Sequence, residues 1–133
     1  MLFDVAHGRN NFCWETAELA LNQGFLPTTI SSDLTLNTVN IFVHNLPTVL
    51  SKFIHLGLPL YDVVERCTLA PASLLGMNDR KGTLKIGAEA DIAIFDIEDG
   101  EFPIWDNIRP CKERRMIKSC LKTVGVFKGG KTV

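Results

Sequence analysis

Residues 2–33 read LFDVAHGRNNFCWETAELALNQGFLPTTISSD, and this stretch decides the fold. It opens on the apolar run Leu2–Val5, interrupted only by Asp4, which is typical of a strand buried on both faces of a parallel sheet. The segment TTIS, residues 28–31, is a second β-rich piece, followed by Ser32 and Asp33. With a helix between these strands, the stretch predicts a parallel strand–helix–strand crossover unit.

The segment between the two strands has the features of an amphipathic helix. Asn10 or Asn11 can cap its start, and Glu15 adds negative charge to its first turn. Gly24 stands where a C-terminal cap belongs. The apolar face is formed by Ala17, Ala20 and Leu21.

The rest of the chain divides into a helical part and a β-rich part. Residues 44–57, 58–69 and 70–77 predict three helices, with Pro47 in the first turn of the first. A β-rich run covers residues 91–97, and another covers 116–133 with a hairpin turn at residues 128–131. Residues 99–115 are predicted to form a loop. We therefore expect an α/β part over residues 1–78 and a β part over residues 79–133.

Composition and charge narrow the class of protein. Apolar residues make up 46% of the 133 residues and the net charge is -1, so we expect a globular domain without a nucleic-acid or membrane partner. The four cysteines are scattered, without a C-x-x-C pair, which favours reduced thiols and a cytoplasmic location. Phosphate-binding loops are not indicated, because the glycine-rich pieces KGGK and KIGAEAD lack the required strand–loop–helix order.

Two polar side chains directly follow the predicted strands, and these are the candidate site residues. The carboxyl ends of parallel strands are where functional side chains gather. Asp33 could there bind a divalent metal or accept a proton from water, and His7 could bind a metal or hydrogen-bond an oxyanion. Each also has a plain structural interpretation, since Ser-Ser-Asp after a strand is often only a turn or a helix cap. His44 and His55 are weaker candidates, and no histidine or cysteine spacing predicts a complete metal site.

A longer segment carries a family resemblance. Residues 68–96, TLAPASLLGMNDRKGTLKIGAEADIAIFD, resemble the C-terminal signature of the amidohydrolase superfamily, although Ala70 replaces the commoner Asn. The pieces FDVAHG, GFLPTTISSDL and LPTVLSKFIHLGLPL resemble the branch of amidohydrolase/deacetylase metallohydrolases, which is dihydroorotase-like. The resemblance extends from about Leu2 to Val133.

The resemblance implies a fold and a site. The fold would be the C-terminal fragment of a (β/α)₈ metal-dependent hydrolase barrel, followed by part of a small β-sandwich. Asp33 matches the aspartate after the eighth barrel strand, which in the family binds a divalent metal, usually zinc, and takes a proton from the hydrolytic water. His7 and Gly8 follow the seventh strand and would contact a small-molecule substrate or shape the site.

Most of the family's metal ligands have no counterpart in these residues and would lie before Met1. One carboxylate cannot hold a catalytic zinc ion, which usually needs three protein ligands, so we expect no hydrolase activity from this chain alone. A two-strand remnant would also leave strand edges unpaired, which predicts a homo-oligomer or a complementing N-terminal segment. The alternative is a non-catalytic remnant or assembly module of the same fold.

Overall fold

A computed structural model of the chain describes residues 1–8, 11–36, 45–106 and 113–133. Over these ranges the elements follow the order predicted from the sequence, with two strands and a helix first, then three helices, then a β ribbon. Their bounds are β1 Asp4–Ala6, α1 Trp14–Asn22, β2 Thr29–Ser31, α2 Leu46–His55, α3 Leu60–Cys67, α4 Leu69–Leu74, β3 Ile92–Trp105, β4 Arg114–Lys128 and β5 Lys131–Thr132.

Strands β1 and β2 pair in parallel, as the crossover pattern predicts, with Asp4 opposite Thr29. The expectation that β1 is buried on both faces is wrong, because Asp4 is exposed and the rest of the strand is half-buried. Asp4 has a local role instead. Its carboxylate accepts hydrogen bonds from the hydroxyls of Thr29 at 2.7 Å and Ser31 at 2.6 Å, so it links the two strands through side chains as well as backbone.

Helix α1 begins without the predicted asparagine cap. Its N-cap is Cys13, which makes no side-chain capping bond, and Asn10 lies outside the described residues. The amide of Trp14 donates instead to the carboxylate of Asp106 at 2.9 Å, so a residue far along the chain satisfies the start of the helix. Gly24, with a φ of +76°, follows the C-cap as predicted.

Helix α2 connects the parallel strands to the β ribbon. Asn45 caps it by accepting from the amide of Thr48 at 2.9 Å, and Pro47 lies in its first turn as predicted. Every residue from Pro47 to Phe53 is buried. The Ser51 hydroxyl accepts from the amide of Leu121 at 2.8 Å, which fixes the helix against β4.

The predicted loop over residues 99–115 is wrong for residues 99–105 and 114–115, which lie in strands, and residues 107–112 lie outside the described residues. Strand β3 continues to Trp105 and pairs antiparallel with β4, which already begins at Arg114. A register shift between Asp99 and Phe102, a stretch that contains Gly100, interrupts the pairing within the ribbon. The predicted hairpin at residues 128–131 is confirmed, since β4 pairs with β5 across Gly129 and Gly130.

One hydrophobic core contains residues from both predicted parts of the chain. Aromatic residues around α1 and α2 pack with aliphatic residues of the ribbon, and the cluster comprises Phe12, Trp14, Ile30, Val49, Leu50, Phe53, Leu58, Val63, Ile104, Ile117 and Leu121. The division at residue 78 remains a prediction. Cys67 and Cys120 are free thiols, and none of the helices in the described ranges is long and apolar enough to cross a membrane.

Candidate functional site

The candidate residues meet where β1 and β2 end. The amide of His7 donates to the carbonyl of Ser31 at 3.3 Å, and the amide of Gly8 donates to that of Ser32 at 3.0 Å. The parallel pairing therefore continues for two residues beyond the strands. It places His7, Gly8 and Asp33 at one edge of the sheet, as the sequence predicts for side chains that follow parallel strands.

Asp33 has an unusual backbone conformation. Its φ of +47° lies in the left-handed region, and among the described residues it is the one non-glycine residue there. Its side chain is exposed, and Oδ2 accepts a hydrogen bond from the side-chain nitrogen Nδ2 of Asn11 at 3.1 Å. Strained residues of this kind cluster at functional sites, where the fold holds a side chain in one direction.

Gly8 makes this arrangement possible. A Cβ atom at Gly8 would lie 2.3 Å from Oδ2 of Asp33 and 2.8 Å from Nδ2 of Asn11, so any larger residue would collide with the carboxylate. The φ of Gly8 is +47°, which also favours glycine. The end of β1 thus leaves space for the carboxylate that follows β2.

His7 is 1% exposed and has a partner at each ring nitrogen. Nδ1 lies 3.0 Å from the carbonyl oxygen of Gly8, and Nε2 contacts Nζ of Lys52. The ring stacks on Phe12 with centroids 5.2 Å apart. Burial, followed by the nearby charge of Lys52, lowers the pKa of His7 to about 4, so the imidazole is neutral at neutral pH.

Lys52 is the residue that sequence reasoning missed. Its side chain is fully buried, and Nζ donates to the carbonyl of Trp105 at 2.5 Å. Nζ also lies 4.6 Å from the ring centroid of Phe12 and 5.1 Å from that of Trp14. Burial lowers the pKa of Lys52 to about 7, although the carboxylate of Asp106 acts in the opposite direction. The one signal in the sequence was a lysine within the apolar pattern of α2.

The remaining histidines contribute little to this edge. His44 lies outside the described residues, and His55 is exposed on α2 with its ring edge-on to Trp14 at 5.9 Å. Within the described ranges, no group of three histidine, cysteine, aspartate or glutamate side chains could hold a metal ion. The described residues therefore do not form a complete metal site by themselves, and metal binding by Asp33 remains a prediction.

Comparisons with known proteins identify the family of the chain. The model of the amidohydrolase family matches residues 50–133. A deacetylase of Agrobacterium fabrum is 36% identical over 104 residues, which are 78% of this chain and 25% of that protein. The crystal structure of an adenine deaminase superposes on 100% of this chain and 35% of its own, at 31% identity and a TM-score of 0.91. A dihydroorotase structure covers 98% and 34%, at 29% identity and a TM-score of 0.87.

The chain therefore belongs to the amidohydrolase family, and the resemblance found in its sequence is confirmed. It spans about a quarter of the length of the deacetylase and about a third of each of the two solved structures.

Proposed function

We propose that this chain is the C-terminal part of a metal-dependent hydrolase that acts on C–N bonds of amides or cyclic amides, or on ester bonds. On this proposal β1 and β2 are the last two strands of a (β/α)₈ barrel, and β3–β5 belong to a small β-sandwich. The observation that carries the proposal is Asp33, an exposed carboxylate held in the left-handed conformation at the carboxyl end of a parallel strand. That edge is where barrel enzymes carry their chemistry.

Asp33 would have two roles in the complete enzyme. It would be one ligand of a divalent metal, which we expect to be zinc, and the metal when bound supplies an acidified water molecule. The second carboxylate oxygen of Asp33 would accept the proton of that water and pass it to the leaving nitrogen or oxygen. The hydrogen bond from Asn11 supports both roles, because it fixes one carboxylate oxygen without neutralising the charge.

His7 and Gly8 would shape the site. Gly8 leaves the space that the Asp33 carboxylate occupies, and Nδ1 of the buried His7 ring contacts the Gly8 carbonyl. A substrate would therefore meet the backbone of this loop before it meets the imidazole. The substrate partner would be a small molecule.

The other metal ligands would come from a complementing N-terminal segment. Several large apolar side chains near β1 are exposed, which supports association with such a segment or with a second copy. They are Met1, Leu2, Phe3, Phe25 and Leu26. We therefore expect the 133-residue chain to be inactive by itself. It would be active only when completed.

A chimaera tests the proposal. This chain would replace the matching segment of the Agrobacterium fabrum deacetylase, and hydrolysis of a panel of acylated amino acids and cyclic amides would be measured with added zinc. We expect activity, and a loss of about 10²–10⁴-fold in Asp33→Asn, the usual size of a general-base contribution. Asp79→Asn, a substitution of another aspartate outside the site, is the control. A folded chimaera in which Asp33→Asn is as active as the control would favour the alternative, a non-catalytic assembly module.

A further inference from the structure

The contact with the Gly8 carbonyl identifies the tautomer of His7. A carbonyl oxygen can only accept a hydrogen bond, so the contact at 3.0 Å needs the ring proton on Nδ1 of His7, while the Trp105 carbonyl, which also interacts with the ring, is already occupied by Nζ of Lys52. Because the ring is neutral, Nε2 then has a free lone pair and must accept from Nζ of Lys52. Imidazole in water prefers the opposite tautomer, so the surroundings of His7 have to impose this one.

Lys52 is held rigidly enough to impose it. Nζ donates to the carbonyl of Trp105, is flanked by the rings of Phe12 and Trp14, and is completely excluded from solvent. An amine has enough hydrogen atoms to donate to both His7 and Trp105, whether it is charged or neutral. The side chain therefore presents a donor to Nε2 in either protonation state.

The effect reaches Asp33 through the backbone. The His7 ring holds the Gly8 carbonyl, the Gly8 amide donates to Ser32, and the α-carbon of Gly8 faces the carboxylate of Asp33. A change in the direction of the ring would move the Gly8 carbonyl, and the Gly8 backbone lies so close to that carboxylate that even a Cβ atom would collide with it.

We propose that Lys52 is the positioning residue of this site, which holds His7 in the Nδ1–H tautomer and thereby fixes the Gly8 backbone against Asp33. The link from Lys52 to Gly8 stands on contacts of this chain alone. It rests on the proposed function only in treating Asp33 as the group at the active centre. Lys52 would make no contact with substrate, and its influence would pass through His7.

Nuclear magnetic resonance of the ¹⁵N-histidine-labelled 133-residue chain tests the inference. Long-range ¹H–¹⁵N correlations at neutral pH distinguish a protonated from a bare ring nitrogen. We expect His7 to show a protonated Nδ1 and a bare Nε2, while exposed His55 shows the ordinary preference for a protonated Nε2. A protonated Nε2 at His7 would overturn the proposal without any variant.

Substitution then tests the part of Lys52. In Lys52→Met, which keeps an unbranched side chain but removes the donor, we expect loss of the pure Nδ1–H pattern and a shift of the Gly8 amide resonance. Lys122→Met, which removes an exposed amine, should leave both signals unchanged. An unaltered His7 pattern in folded Lys52→Met would refute the inference, and if that variant does not fold, the tautomer in the wild type decides. Asp33→Asn should not alter the tautomer of His7. A failure of the catalytic role proposed for Asp33 can therefore be distinguished from a failure of the role proposed for Lys52.

Discussion

Replacing Lys52 with methionine should remove a rise in stability at alkaline pH. In the folded chain the pKa of Lys52 is lowered from 10.5 to about 7. Between these values the unfolded chain binds more protons than the folded one, so raising the pH stabilises the fold. The contribution is complete above pH 10.5, where lysine is neutral in both states. It is lost as the pH falls from 10.5 toward 7, and it is absent below pH 7, where lysine is protonated in both states.

The size of this effect follows from proton linkage. One proton of difference between the two states changes the free energy of unfolding by about 1.4 kcal/mol per pH unit. With the pKa values of Lys52 the contribution grows by about 2–3 kcal/mol between about pH 7.5 and about pH 9.5. Solvent screens the charge of this amine very little, because the side chain is completely buried. Cys67, whose pKa is raised by burial, acts in the opposite direction, but it does so equally in the wild type and the variant.

Urea unfolding followed by circular dichroism measures the difference. The midpoints of wild type, Lys52→Met and the control Lys122→Met would be compared at both pH values and one fixed protein concentration, because association makes stability depend on concentration. A difference of about 2–3 kcal/mol corresponds to a midpoint change of about 1–2 M urea, which wild type and control should show and Lys52→Met should lack. If the midpoints of all three proteins move in parallel with pH, Lys52 is not a desolvated amine and the reasoning is wrong.

Three further substitutions test other contacts. Gly8→Ala should lower the thermal midpoint more than Gly24→Ala, because both glycines have positive φ but only at Gly8 would a Cβ atom collide with a neighbouring side chain; equal losses would contradict the close approach. Phe53→Ala should reduce the free energy of unfolding by about 3–5 kcal/mol in urea titrations, as expected for a buried core phenylalanine, and a loss below about 1 kcal/mol would exclude it from the core. Asp91→Asn should weaken the loss of stability below about pH 4, because Lys128 holds the pKa of the Asp91 carboxyl well below its usual range and protonation would break their ion pair. An acid titration of stability that is the same in wild type and variant would contradict this role of the ion pair.

Much of the fold could be predicted because the signals are local. The apolar runs and the glycine after α1 identify the parallel crossover, and Pro47 identifies the start of α2. The loop expected over residues 99–115 was inferred from Pro103 and Pro110, and Pro110 lies outside the described residues. Pro103 lies within β3 opposite Met116, so the long antiparallel pairing with β4 overrides its preference for a loop.

The candidate site was predictable only in part. Asp33 and His7 could be found because both directly follow strands, and parallel pairing brings such positions together. The interactions of Lys52 and Asn11 could not be found, because each depends on contacts between distant segments. Lys52 points inward only because the end of β3 supplies the Trp105 carbonyl and the buried Asp106 carboxylate beside it. Periodicity alone treats a lysine in a helix as a solvent-facing residue.

The bond between the amide of Trp14 and the carboxylate of Asp106 has a consequence for the order of folding. It joins residues 92 positions apart, and closing a loop of that length costs about 4 kcal/mol in chain entropy before any contact is gained. The β ribbon and α2 contain shorter-range contacts and can form first. We therefore expect the first turn of α1 to become ordered late, after the end of β3 has reached it. A ribosome would have to release the chain beyond Asp106 before the amide of Trp14 can meet this carboxylate.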